Sequence, residues 1–138
     1  MHPLLNLAIT AARKAGNIIM RGLDRREALE IYPKSDNSFA TNIDRQAEQE
    51  IIYQLRKAYP EHGILAEESG FDAGKGSEVR WIVDPLDGTR NYARGLPHFA
   101  VSLAVEIRGR VEHAVIYDPF RQELFTASHG SGAKLEQY

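Results

Sequence analysis

The apolar residues of this chain keep a helical spacing up to residue 60 and a strand spacing after it, and that change of period restricts the fold to helices layered on a sheet. From Leu4 to about Gly22, small and apolar residues recur at Leu4, Ala8, Ala11, Ala15 and Ile18, which draws one stripe along a helix with Gly22 as its stop. A second helix is predicted from Thr41. Asp44, three residues on, completes a capping-box pattern, and Ile43, Ala47, Ile51, Leu55 and Ala58 hold one face until Pro60 ends it. Between the helices, Asp24 to Ser38 mixes charges with Pro33 and the polar cluster Ser35-Asp36-Asn37-Ser38, and reads as a connection with one short extended piece.

Beyond Pro60, Gly63-Ile64-Leu65-Ala66 and Trp81-Ile82-Val83 are short strand-like runs. The Gly-rich, charged stretch from Phe71 to Ser77 separates them and reads as an exposed loop. Ala100 to Ile107, Val111 to Tyr117 and Glu123 to Ala127 follow, divided by Gly109 and Asp118-Pro119 as in an antiparallel meander, and Gly130-Ser131-Gly132 marks one more turn. The expectation is one α+β domain over residues 1–138, with helices layered on a mostly antiparallel sheet.

Composition narrows the function classes. With 43% hydrophobic and 26% charged residues the chain has the make-up of a soluble globular protein. It has no cysteine, which excludes disulfides and thiolate metal sites and fits a cytoplasmic location. A net charge of −2 with scattered Arg and Lys gives no footprint for nucleic acid. No window supplies the ~18–20 consecutive apolar residues of a membrane span, and no basic leader precedes an apolar run.

The chemistry concentrates in Asp84-Pro85-Leu86-Asp87-Gly88-Thr89, where two carboxylates three residues apart leave an apolar strand. Pro85 fixes its own backbone angle and Gly88 permits a conformation that a side chain would obstruct, so the turn is stiff where ligands must be placed. Hard cations such as Mg²⁺ take oxygen ligands, and Asp84, Asp87 and the Leu86 carbonyl offer them. Asp-Gly is also a common turn dipeptide that needs no function. A second acidic group, Glu67-Glu68-Ser69, closes the preceding strand, and carboxylates gathered beside one another repel unless a cation sits among them. Asp44 reads equally as a helix cap or a site residue. Lys34 reads as a solvated charge, and His98 and His113, lacking metal-ligand spacing, as structural.

Taken together, Trp81 to Thr89 and Glu67-Glu68-Ser69 resemble the two signature blocks of the inositol monophosphatase family, most closely its bacterial SuhB-like branch. The likeness runs along the whole chain, through Ala11 to Gly16, Lys34 to Asp44, Leu96 to Ser102, Tyr117-Asp118-Pro119 and Glu123 to Ala127. It implies an αβαβα-type sandwich when complete, of which this chain resembles the N-terminal portion, since the family is roughly twice as long and its second half supplies another metal aspartate. Carried over position by position, it implies Mg²⁺ held by Glu67, Asp84, Asp87 and the Leu86 carbonyl. Glu67 and Thr89 would activate water, Asp44 would stand beside them, and the Gly88 and Thr89 amides would hold phosphate.

The implied activity is Mg²⁺-dependent, lithium-sensitive hydrolysis of a phosphate monoester, first of all inositol 1-phosphate, in a protein that is a homodimer when complete. Two other readings stand beside it: a non-enzymatic partner of the transcription machinery, as in members of the bacterial branch linked to antitermination, and an inactive truncated fragment. Two departures from the family pattern matter. Arg90 stands where the signature has a second threonine, and Ser38 where an aspartate is common. A sheet that normally continues into a second half is expected to expose an edge and an apolar face.

Overall fold

The computed structural model describes residues 2–34 and 38–137, so Ser35, Asp36 and Asn37 of the polar cluster lie outside the described residues. Helix α1 (Pro3–Leu23) begins with proline at its first position, and the His2 ring Nδ1 accepts the Leu4 amide at 3.1 Å as its cap. Its buried stripe is Leu4, Ala8, Ala11, Ala12, Ala15 and Ile19; Ile18 sits at the margin. The small residues let the helix lie close on the sheet. A Cβ at Gly16 would stand 2.5 Å from the Tyr117 ring. The helix ends at Leu23, one residue past the expected Gly22. A Cβ at Gly22 would stand 2.4 Å from the Tyr92 hydroxyl oxygen and 2.7 Å from Ile43 Cδ1, so this glycine serves close packing.

The Asp24–Ser38 connection holds the one extended piece expected, β1 (Ile31–Pro33), after a 3₁₀ turn at Arg26–Ala28; β2 (Phe39–Thr41), just beyond it, pairs with β1 as an antiparallel ribbon. Helix α2 (Asn42–Ala58) opens with the expected capping box: Thr41 Oγ1 accepts the Ile43 and Asp44 amides at 3.2 and 3.3 Å, and Asp44 Oδ1 accepts the Thr41 amide at 2.7 Å. Ile43, Ala47, Ile51 and Leu55 are buried, and so are Asp44 and Glu48 on the same helix.

The remaining strands are β3 (Gly63–Ala66), β4 (Gly70–Asp72), β5 (Val79–Asp87), β6 (Ala100–Ile107), β7 (Arg110–Asp118), β8 (Glu123–Ser128) and β9 (Gly132–Gln137). They form one sheet in the order β4-β3-β5-β6-β7-β8-β9, antiparallel except where β3 runs parallel to β5. The Phe71–Ser77 stretch, expected to be an exposed loop, is exposed at its start, but its first residues pair with β3 as an edge strand, because Gly70 at φ 82° turns the chain back. A short helix α3 (Thr89–Ala93), which hydrophobic periodicity could not reveal in five residues, follows β5.

One face of the sheet is covered. Trp81, Val83, Val101, Leu103, Val105, Val115 and Leu124 point at the helices, with exposures of 0–3%. Across the other face the register aligns Phe71, Leu65, Ile82, Ala104, Ala114, Ala127 and Ala133 in one row, and Ser102, Ile116, Phe125 and Leu135 in the next. Leu65, Phe71, Ile116, Phe125 and Leu135 are exposed there, as expected of a sheet lacking a second cover. Among the described residues, no helix is long and apolar enough to cross a membrane.

Candidate metal and phosphate site

The acidic segments meet because β3 and β5 lie parallel and end together. Ala66 pairs with Val83, and the Glu67 amide donates to the Val83 carbonyl at 3.2 Å, which puts Glu67 beside Asp84. β5 then departs from regular pairing: Asp84 opposes Ser102 and Asp87 opposes Ala100, so the strand carries an extra residue between them and bulges. The bulge swings Leu86 into the core and leaves Asp87 exposed. Gly88 follows at φ 93°, in the left-handed region. A Cβ there would stand 2.6 Å from the His98 carbonyl oxygen, so no larger residue fits the turn.

Gly88 caps α3 and Thr89 is its first residue, positions whose amides have no acceptor within the helix. The Thr89 hydroxyl lies 2.9 Å from Asp44 Oδ2 and 3.1 Å from the Leu86 carbonyl. With one hydrogen to give, it bonds one of these at a time and keeps its lone pairs for another donor. Asp44 is 2% exposed, and its other oxygen receives both the Thr41 amide and, at 2.5 Å, the Thr41 hydroxyl. The cap and the site residue, alternatives in the sequence, are therefore one carboxylate: Oδ1 holds the helix start and Oδ2 holds Thr89.

Asp84 differs. Its Oδ1 is buried with no hydrogen-bond partner. Burial, then the adjoining Glu67 and then Asp87 push its carboxyl up to about 7. A buried, unpartnered carboxylate oxygen beside two further carboxylates and the Leu86 carbonyl is a hard-oxygen donor set, and its chemistry fits a divalent cation such as Mg²⁺. Among the described residues, however, no three carboxylate or imidazole groups have converged to ligand distances. Glu67 leans instead toward Lys34, whose ammonium is 3.5 Å from Glu67 and 3.0 Å from Glu68. Lys34 is thus not the purely solvated charge expected: the ribbon β1–β2 brings it onto the acidic turn. Glu68 is itself held above the usual carboxylate range by burial, despite the Lys34 bond that opposes it.

Sequence reasoning missed Glu48. At 1% exposure, it accepts the Glu68 amide at 2.8 Å through Oε1 and the Ser69 hydroxyl through Oε2, clamping the Glu67-Glu68-Ser69 turn to α2. The available signal was its spacing of four from Asp44, which puts both acids on one helix face. Arg90 is exposed and lies over the Phe39 ring at 5.8 Å. The histidines stay outside the acidic cluster: the His98 carbonyl holds the Asn91 amide at 2.9 Å, and His113 bonds Ser128 at 2.8 Å.

Known proteins are similar to this chain in sequence and in fold. The profile of the inositol monophosphatase family matches residues 1–138. The protein named Nus factor SuhB is 55% identical over 98% of this chain and 51% of its own length in Pasteurella multocida. In Escherichia coli strain K12 it is 54% identical over 100% of this chain and 52% of its own. Among solved structures, the extragenic suppressor protein SuhB of Bartonella henselae superposes with a TM-score of 0.95 at 42% identity, covering 98% of this chain and 52% of that one. An inositol monophosphatase of Thermotoga maritima superposes with a TM-score of 0.88 at 35% identity, covering 99% and 53%. The chain spans about half the length of the curated relatives it matches. A profile matched from the first residue to the last, on a fold shared with the solved members, means that the chain belongs to the inositol monophosphatase family.

Proposed function

We propose that this chain carries the metal- and phosphate-binding half of a Mg²⁺-dependent phosphomonoesterase site, with inositol 1-phosphate as the leading substrate. The observation that carries the reading is the buried, unpartnered Asp84 oxygen beside a threonine anchored by a second carboxylate. Glu67, Asp84, Asp87 and the Leu86 carbonyl would hold the cation, which supplies Lewis acidity and makes water a nucleophile near neutral pH.

The protein's own groups do the positioning. With the Thr89 hydrogen directed to Asp44, the hydroxyl oxygen could accept a hydrogen bond from the attacking water, and Glu67 would take that water's proton. The amides of Gly88 and Thr89, at the start of α3, would donate to phosphate oxygens. The reading places the protein in the cytoplasm and makes the whole protein a homodimer.

The relatives named Nus factor favour a second reading, in which the fold binds transcription machinery without catalysis. Asp87→Asn separates the two, because phosphate release should fall in that variant while a protein contact would survive it.

Calorimetric titration of Mg²⁺ or Mn²⁺ into the chain and its Asp84→Asn variant, both checked for folding by circular dichroism, tests the proposal. Binding by the parent and none by the variant is the expected result. A folded parent that binds neither ion would overturn the claim that this half holds metal alone. Phosphate release from inositol 1-phosphate then tests the substrate.

A further inference from the structure

A cavity of about 510 Å³ opens where α1 begins and β8 and β9 extend past it. That volume lies within the usual range for small-ligand sites. Its wall includes His2, His113, Thr126, Ser128, Ser131 and Lys134. Thr126 belongs to the row that starts at Val83 and crosses Leu103 and Val115, three strands from β5, which is about 14 Å at the usual strand spacing. The cavity is therefore separate from the Asp84 cluster.

Three observations give it chemical character. First, Thr126 is 5% exposed and lines the cavity, so its hydroxyl is available there as a hydrogen-bond donor. Second, the His2 Nδ1 accepts the Leu4 amide, so in the neutral ring the hydrogen is on Nε2, and that nitrogen is a donor. A metal would need the lone pair that this tautomer lacks at Nε2. Third, the His2 and His113 rings stand 4.5 Å apart, and burial together with the His2 ring holds His113 below the usual imidazole value. Two packed imidazoles whose cationic forms oppose each other are relieved by a nearby negative charge. Lys134 adds a cation, and Glu136, also on the wall, offsets part of it.

We propose that this cavity binds a small oxyanion, a phosphate or a carboxylate, through hydroxyl and imidazole donors and without a metal. Thr126 is the most informative position, because valine keeps its shape and removes only the hydroxyl.

The test is an NMR titration of the histidine rings in the 138-residue chain, in buffer freed of divalent ions by resin, with sodium phosphate in one series and sodium succinate in the other. Saturable shifts of the His2 and His113 resonances are expected in at least one series. Phosphate alone would assign a tetrahedral ligand, and succinate alone a carboxylate. Thr126→Val should retain the melting temperature and weaken binding by about five-fold, the worth of one hydrogen bond. No saturable shift in either series, or an unchanged affinity in a folded Thr126→Val chain, overturns the proposal.

Discussion

The start of α2 and the bulged end of β5 each present a buried carboxylate oxygen, and the two are satisfied in opposite ways. At the start of α2, Asp44 receives the Thr41 amide, the Thr41 hydroxyl and the Thr89 hydroxyl. At the bulge, Asp84 Oδ1 receives nothing, and its carboxyl is pushed up to about 7. A chain that satisfies a carboxylate internally uses it to hold structure. One that leaves the next carboxylate bare keeps a place for something that is not polypeptide. The contrast supports the proposed roles, in which Asp44 positions Thr89 and Asp84 would bind a ligand.

Removing the charge at each position should therefore move stability in opposite directions. The largest effect is expected for Asp44→Asn, which removes charge-assisted bonds and turns an amide donor toward other donors; urea unfolding should show a loss of roughly 3 kcal/mol. An unchanged midpoint would break the comparison at its satisfied end.

Asp84→Asn should do the reverse in metal-free buffer, raising stability by on the order of 1–2 kcal/mol at pH 8 after allowance for the part of the side chain open to solvent. The sign follows from proton linkage. The folded carboxyl keeps its proton to about pH 7, while the unfolded one loses it near 3.8. Between those values the native state binds more protons, so Asp84's share of stability is full below about pH 4, falls as pH rises, and levels off above 7. Melting curves across that window should slope downward in the parent and lose that component in the variant. A variant that keeps the same slope would assign the titration to another group.

The smallest effect is expected at Lys34, whose ion pairs with Glu67 and Glu68 are partly exposed. Lys34→Met should change stability by less than about 1 kcal/mol, with the difference shrinking in high salt. A larger loss would mean that the ammonium, rather than Glu48, holds the acidic turn in place.

Local chemistry made much of this readable in advance. The α1 stripe, the Thr41–Asp44 capping box and the alternating meander strands depend on residues a few positions apart, and each took the expected form. That both strands end in acids was legible too, but the parallel pairing of β3 and β5 that sets Glu67 beside Asp84 was not. Elements too short to show a period escaped, as β4 and α3 did, and so did the close packing of Gly22, because a glycine near a helix end and one that admits a neighbour look alike in sequence.

By itself, then, the sequence determined the helices, the antiparallel meander and the rigid Asp84–Thr89 turn, because periodicity, caps and backbone-restricting residues act within a few positions. Only the tertiary structure decided that Asp44 serves Thr41 and Thr89 at once, that Glu48 clamps Glu68 and Ser69, and that Asp84 is left with a bare oxygen. Those bonds join residues 45, 20 and 21 positions apart. Whether a buried polar atom finds a partner at such separation depends on how layers stack around it, which no local pattern encodes.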